Sequence, residues 1–276
     1  MEQGKIISFI NMKGGVGKTT LCINIAYTLA AHFNKKVLLV DIDPQFNATQ
    51  SLFTKFKNLE DYSKLRVEQK TINGILQPQI GGVTNAPTPI EGNSIITNLY
   101  HTRKDGTSGC LDMIPGDLEI VSFESSRRGS EGILEDFLHE KLSIAYDYIL
   151  IDTPATYSIY SQSALLASNC YIVPIAPDAF SVLGYDLLSK VMSDDLILKK
   201  HEVKELGIIF TLYKEGKAGR ESIENKFQSQ NTFSEKLIEN EYVKTGKMET
   251  FMYDMSSTKN NIINITTEFI SKMENI

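Results

Sequence analysis

The chain has 276 residues, 42% of them hydrophobic and 22% charged, enough for one large α/β domain with a substantial core. Its net charge of −6 excludes a protein that is basic overall and holds nucleic acid by bulk charge, though not a local basic patch. No run of about 18 apolar residues could span a bilayer, and no charged leader followed by an apolar segment opens the sequence, so a cytoplasmic protein is expected. The three cysteines, Cys22, Cys110 and Cys170, are scattered and form no CxxC pair, which fits buried free thiols better than a disulfide or a metal set.

In chain order, the apolar run 5–10 is predicted as a strand. Directly after it comes Lys13-Gly14-Gly15-Val16-Gly17-Lys18-Thr19-Thr20, which opens a predicted helix over 18–33. Strand, glycine loop and helix together form the arrangement that wraps a nucleotide's phosphates, with curled backbone N–H groups and a helix N-terminus facing the anion. In such a loop Lys18 reaches the β and γ phosphates, and the Thr19 hydroxyl meets Mg²⁺. Average residue frequencies give such a run by chance in roughly one chain of this length in 10⁴ or fewer. The usual pattern has glycine five positions before the last loop glycine, where this chain has Met12. Lys13 is a second lysine that a site in one subunit does not need; it is either a solvated loop charge or a ligand for phosphates reached from elsewhere.

The strand predicted over 36–41 runs into Asp41-Ile42-Asp43-Pro44-Gln45, placing two carboxylates on one face at the strand's C-terminal edge, where open α/β sheets bind ligands. Residues 78–109, rich in Gly, Pro, Asn and Thr, form a long loop excursion: it either carries partner-specific contacts or is a disordered hairpin, the second reading being preferred. A strand over 111–114 and a helix over 133–144 precede a third chemical signal. There the apolar strand 148–152 ends in Asp152, the place of an acid that meets Mg²⁺ through water. A helix over 158–167, a strand over 171–175, a helix over 180–198, a strand over 206–212 and a helix over 258–273 complete the list. Alternating strands and helices, with strands apolar on both faces, predict a single doubly wound α/β domain over 1–276, its mostly parallel sheet covered by helices on both faces.

With its two-lysine loop, the chain resembles the deviant Walker A family of P-loop ATPases, which includes ParA and Soj in DNA partition, MinD in division-site placement and the nitrogenase iron protein. Asp41-Ile42-Asp43-Pro44-Gln45 followed by Asn47-Ala48-Thr49 is similar to the ParA and Soj branch. Further similar segments follow in order: 71–76, 111–119, 164–168, 172–175, 177–181, Gly246-Lys247 and 251–254. Ala155 stands where the family usually has a second proline. The resemblance implies that loop residues Gly14, Gly15, Val16, Gly17, Lys18, Thr19 and Thr20 hold ATP and that Thr211 touches the base. It further implies that Thr19, Asp41 and Asp152 serve Mg²⁺, that Asp43 orients the attacking water, and that Lys13 crosses a homodimer interface to the partner's nucleotide. The expected activity is a slow ATPase that forms an ATP-dependent sandwich dimer. That dimer binds DNA non-specifically on the nucleoid, and a ParB-like centromere-binding partner stimulates hydrolysis and so releases it.

Lys214, Lys217, Arg220, Lys244 and Lys247 are the DNA-contact residues suggested by the resemblance; by charge alone, with Glu215, Glu221, Glu241 and Glu249 among them, they read as a solvated mixed face. The alternative function is a MinD-like positioning ATPase on a membrane or protein surface. It would want a basic amphipathic C-terminal helix. Ile262, Ile265, Phe269, Met273 and Ile276 form the stripe, but Lys259 and Lys272 are balanced by Glu268 and Glu274, so packing on the domain and no membrane contact are expected. An iron-protein-like reductase lacks suitably placed cysteines, and the first strand at residue 5 leaves no room for an N-terminal helix-turn-helix.

Overall fold

A computed structural model describes residues 4–77, 92–104, 106–126, 129–142, 144–178, 180–214, 220–240 and 251–276 of the chain. The strands are β1 (Lys5–Phe9), β2 (Lys36–Asp41), β3 (Thr97–Lys104), β4 (Thr107–Ile114), β5 (Tyr148–Asp152), β6 (Cys170–Ile175) and β7 (Lys204–Phe210). They form one sheet in the order β3-β4-β2-β5-β1-β6-β7, parallel throughout except for the antiparallel edge pair β3 and β4. Around it lie α1 (Lys18–Ala31), α2 (Asn47–Phe56), α3 (Leu59–Val67), α4 (Ile72–Leu76), α5 (Ile133–Lys141), α6 (Ile159–Ala167), α7 (Ser181–Asp194), α8 (Leu196–His201), α9 (Arg220–Glu224) and α10 (Lys259–Met273).

Strand residues alternate between two cores, as the pleat requires. Ile7, Phe9, Val37, Leu39 and Leu150 pack with α1, α2 and α10, whereas Ile6, Leu38, Val40, Ile149 and Ile151 pack with α5 and α6. A third cluster gathers Val173, Ile175, Ile208 and Phe210 with Tyr185, Leu188 and Leu198. Helix α1 is buried on nearly every side, so its apolar character is not confined to one stripe. Cys22 and Cys170 are buried and Cys110 half-buried, all unpaired.

Three sequence expectations change. The helix expected over 180–198 breaks at Asp195, which takes an extended conformation and accepts hydrogen bonds from the Ile197 and Leu198 amides at 2.8 and 3.1 Å, so it caps α8 as a new helix. The strand expected over 111–114 begins at Thr107, because it pairs with β3 in a hairpin turning at Gly106, whose φ is 80°. Ordered pairing over 97–104 therefore replaces the disordered-hairpin expectation there, while residues 78–91 lie outside the described residues. The C-terminal stripe is buried as expected: Ile262, Ile265 and Phe269 are wholly enclosed and Met273 nearly so. Among the described residues no helix is long and apolar enough to cross a membrane.

Gly109 in β4 ties the edge strands to the turn after α1. A Cβ there would fall 2.4 Å from the Ala30 carbonyl oxygen and 2.9 Å from the Asn34 Cα, and the strand is pinned because Cys110 N donates to Lys35 O at 3.1 Å. Both obstacles are backbone. Gly109→Ala is expected to cost about 1–3 kcal/mol, read as a lower thermal midpoint. An unchanged midpoint would mean that this turn slides freely.

Candidate functional site

The glycine loop leaves β1 at the C-terminal edge of the sheet and enters α1. Gly15 and Gly17 have φ of 73° and 82°, a left-handed backbone that glycine adopts without strain. Gly17 is also the N-cap of α1, so the loop amides and the helix dipole converge on one spot. The buried Thr211 hydroxyl donates to the Val16 carbonyl at 2.6 Å and lies under Gly17, where a Cβ would be 3.6 Å away. Thr211 thus props the loop from below, and its neighbour Leu212 lines the cleft. That cleft, of about 730 Å³, runs over Gly14, Gly15, Val16, Gly17, Lys18, Thr19 and Thr20, past Asp43, to an apolar end at Leu237, Ile238, Phe251 and Met252.

Beneath the loop, β2 and β5 are registered so that Asp41 lies beside Asp152, both wholly buried. Their surroundings differ. Asp41 Oδ2 accepts from the Thr49 amide at 2.8 Å and the Thr49 hydroxyl at 2.7 Å, and Oδ1 accepts from Asp43 N at 3.2 Å. Burial pushes Asp41 up to about 7 while the Thr49 bonds pull it back. Thr49 Oγ1 in turn accepts from Gly116 N at 2.8 Å. Asp152 has no hydrogen-bond partner of ordinary geometry on either oxygen among the described residues. Burial first, then the Asp41 charge, holds Asp152 well above the usual carboxylate range, with Thr19 and Lys18 acting the other way. Lys18 is nearly enclosed and donates from Nζ to the Lys13 carbonyl at 3.3 Å. Burial lowers it, opposed by Asp152 and then Asp43.

A divalent cation fits this donor set. Hard oxygen ligands suit Mg²⁺, and Asp152 offers two buried oxygens next to the Thr19 hydroxyl. Asp41 is committed to Thr49 and to the Asp43 amide, so it braces the site. Asp43 lies on the cleft wall and accepts from Gln45 N at 2.9 Å.

Lys13 sits at the loop's outer side. Its amide donates to Asn11 Oδ1 at 2.9 Å, and its ammonium pairs with Asp178 of the same chain. Burial opposes ionisation of Asp178, but the Lys13 bond, then those from Phe180 N and Ser181, outweigh it and leave the carboxyl below its usual range. Sequence reasoning did not single out Asp178, Thr49 or Gly116, although each stands in a segment similar to the family. Of the suggested DNA residues, Lys214 is exposed, Arg220 opens α9, and Lys217, Lys244 and Lys247 lie outside the described residues.

Comparison with known proteins agrees with this geometry. A family model described as an AAA domain matches residues 4–205. A virulence plasmid ParA family protein of Chlamydia psittaci is 31% identical over 76% of this chain and 70% of its own length. The sporulation initiation inhibitor protein Soj of Bacillus subtilis is 31% identical over 76% of this chain and 73% of its own. In fold, the chain is similar to a plasmid partition protein from Borrelia burgdorferi solved with AMPPNP bound: TM-score 0.77, 24% identity, covering 98% of this chain and 100% of that one.

Asp41 and Asp152 hold their protons more tightly in the folded than in the unfolded chain. Nucleotide-free stability from these two groups therefore falls as pH rises from about 4 toward 7 and beyond. Asp152→Asn removes one buried charge. It is expected to raise the thermal midpoint without nucleotide or Mg²⁺, by more at pH 8 than at pH 5. A lowered midpoint, or a gap independent of pH, would contradict the assignment of an uncompensated carboxylate.

Proposed function

Because this chain belongs to the ParA/Soj family of P-loop partition ATPases, we propose that it is an ATPase that segregates a plasmid or chromosome through an ATP-dependent dimer. The observation that carries this is the buried, unpartnered Asp152 under a glycine loop that also presents Lys18 and Thr19. Lys18 and the loop amides hold the phosphates of ATP, and Asp43 on the cleft wall orients the attacking water. Mg²⁺, when bound, neutralises charge on the β and γ phosphates, with Thr19 and, through water, Asp152 holding it and Asp41 bracing the strand pair. Phosphoryl transfer of this kind needs positioning and charge stabilisation more than covalent chemistry.

Lys13 completes the site in a partner subunit. To do so it leaves Asp178, exchanging one anion for another, so its pairing within the chain sets a threshold for dimerisation. Next to it Phe180, Leu183 and Leu187 of the α7 segment, spaced to share one helix face, are 71%, 59% and 49% exposed. An apolar stripe on the helix that passes Lys13, where a Cβ at Gly184 would be 3.6 Å from that of Lys13, supports a face-to-face partner. The dimer binds DNA without sequence preference, and a ParB-like protein stimulates the slow hydrolysis that ends binding.

Lys13→Ala is expected to keep monomeric ATP binding and to lose the ATP-dependent dimer in size-exclusion chromatography with light scattering. A dimer that persists in that variant would remove Lys13 from the interface. For the DNA step, fragment binding would be compared without nucleotide, with ADP, with ATP, and with ATP and Asp43→Ala, at two salt concentrations. Binding strongest with ATP, weakened by salt and kept by Asp43→Ala supports a DNA-anchored switch; no binding in any state, with dimers intact, refutes it.

A further inference from the structure

Phe251 and Met252 wall the apolar end of the cleft from a segment, 251–254, far from the glycine loop in sequence. Two side chains from the nucleotide half of the fold tie this segment down. The first is Asn24, buried in α1, which accepts from the Met252 amide at 2.7 Å and donates from Nδ2 to the Thr20 carbonyl at 2.8 Å. One side chain thus links the first turn of the phosphate helix to the wall at the other end of the cleft. The buried Thr258 hydroxyl donates to the Met252 carbonyl at 2.7 Å, so both backbone polar groups of Met252 are engaged.

The second tie is Lys55, in the last turn of α2. Its side chain is only 16% exposed, and its ammonium pairs with Asp254. The same ammonium lies over three rings, 4.8 Å from the centre of Phe251, 5.3 Å from that of Tyr27 and 5.4 Å from that of Phe56. A lysine is seldom enclosed to this degree without an anion and ring faces in place of water. Tyr27, from α1, donates to Asp254 Oδ1 at 3.2 Å and meets the Phe251 ring edge-on, with centres 5.5 Å apart. Other lysines also lie over rings: Lys236 over Phe210 and Tyr213, Lys259 over Tyr253, and Lys272 over Phe233. Among the described residues, Phe251 is the one ring under a lysine that also lines the cleft.

We propose that Lys55 is a positioning residue for the nucleoside half of ATP: by holding Asp254 and the face of Phe251, it fixes the wall against which base and sugar pack. This rests on the ATPase reading above. With the phosphates on the glycine loop, a nucleoside extending along the cleft arrives at the Leu237, Ile238, Phe251 and Met252 end. An apolar wall with an aromatic ring suits the face of a flat base. Such a wall contributes fully only if it is ordered beforehand, because a segment that must be ordered on binding takes its entropy cost out of the affinity. Lys55 does not itself line the cleft, so it acts through Phe251 and Asp254. The triphosphate contacts of Lys18, Thr19 and the loop amides do not involve it, and its influence is confined to the nucleoside.

The test compares, by calorimetry on the full chain, the affinities for ATP and for inorganic tripolyphosphate, both with Mg²⁺; the second ligand has the phosphates and no nucleoside. Lys55→Met keeps an unbranched apolar stem and removes the charge. It is expected to bind ATP about five- to tenfold more weakly than the parent and tripolyphosphate as tightly as the parent. Asp254→Asn cuts the same tie from its more exposed side and is expected to give the same pattern. ATP affinity equal to the parent's in both variants overturns the role of Lys55 and leaves the ATPase reading standing. Equal weakening for the two ligands overturns it as well, since a loosened fold alone does that. A parent that binds tripolyphosphate as tightly as ATP has no nucleoside subsite for Lys55 to position, which also overturns the proposal. A parent that binds neither ligand overturns the ATPase reading together with it.

Discussion

Much of this molecule follows from one electrostatic constraint: two aspartates lie side by side, without solvent, on adjacent strands. The register of β2 against β5 sets Asp41 next to Asp152. An ionised pair in such a place is costly unless hydrogen bonds or cations compensate it. The chain resolves the two differently. Asp41 is satisfied internally by Thr49, which also holds Gly116, so one carboxylate ties β2, the start of α2 and the segment after β4 together. No Cβ fits at Gly116, which would place one 2.8 Å from that of Phe46 and 2.9 Å from Asp41 Cγ. Asp152 is left to Lys18 and Thr19 in the loop above it. The unequal treatment leaves Asp41 bonded within the chain on both oxygens, and Asp152 with no hydrogen bond of ordinary geometry on either among the described residues.

How far this was legible in the sequence depended on whether chemistry was local. The loop, β1, β2, β5 and α1 were readable because glycine spacing, apolar runs and terminal acids all lie within a few residues of each other. The helices α2, α3 and α4 were not among the predicted elements. They are short and follow one another with breaks, and α2 starts from Phe46, a non-glycine residue at φ 41°, held by stacking on Tyr62 with ring centres 5.5 Å apart. Such a start depends on tertiary contact, which periodicity cannot register. The strand β3 was hidden for a similar reason, since its sequence of Thr, Asn, Tyr, His and Arg becomes a strand only against β4.

Site residues divide along the same line. Lys18, Thr19, Asp43 and Asp152 were identified by type and spacing and lie in or beneath the cleft. Thr211, expected at the base from the resemblance, has a second part visible only in the fold: it supports the loop through Val16, a contact across 195 positions of sequence. Lys13, expected from the resemblance to cross a dimer interface to the partner's nucleotide, pairs within the chain with Asp178, 165 positions away. Long-range partners of this sort decide whether a residue touches ligand or holds the element that does, and the residue type alone does not distinguish the two.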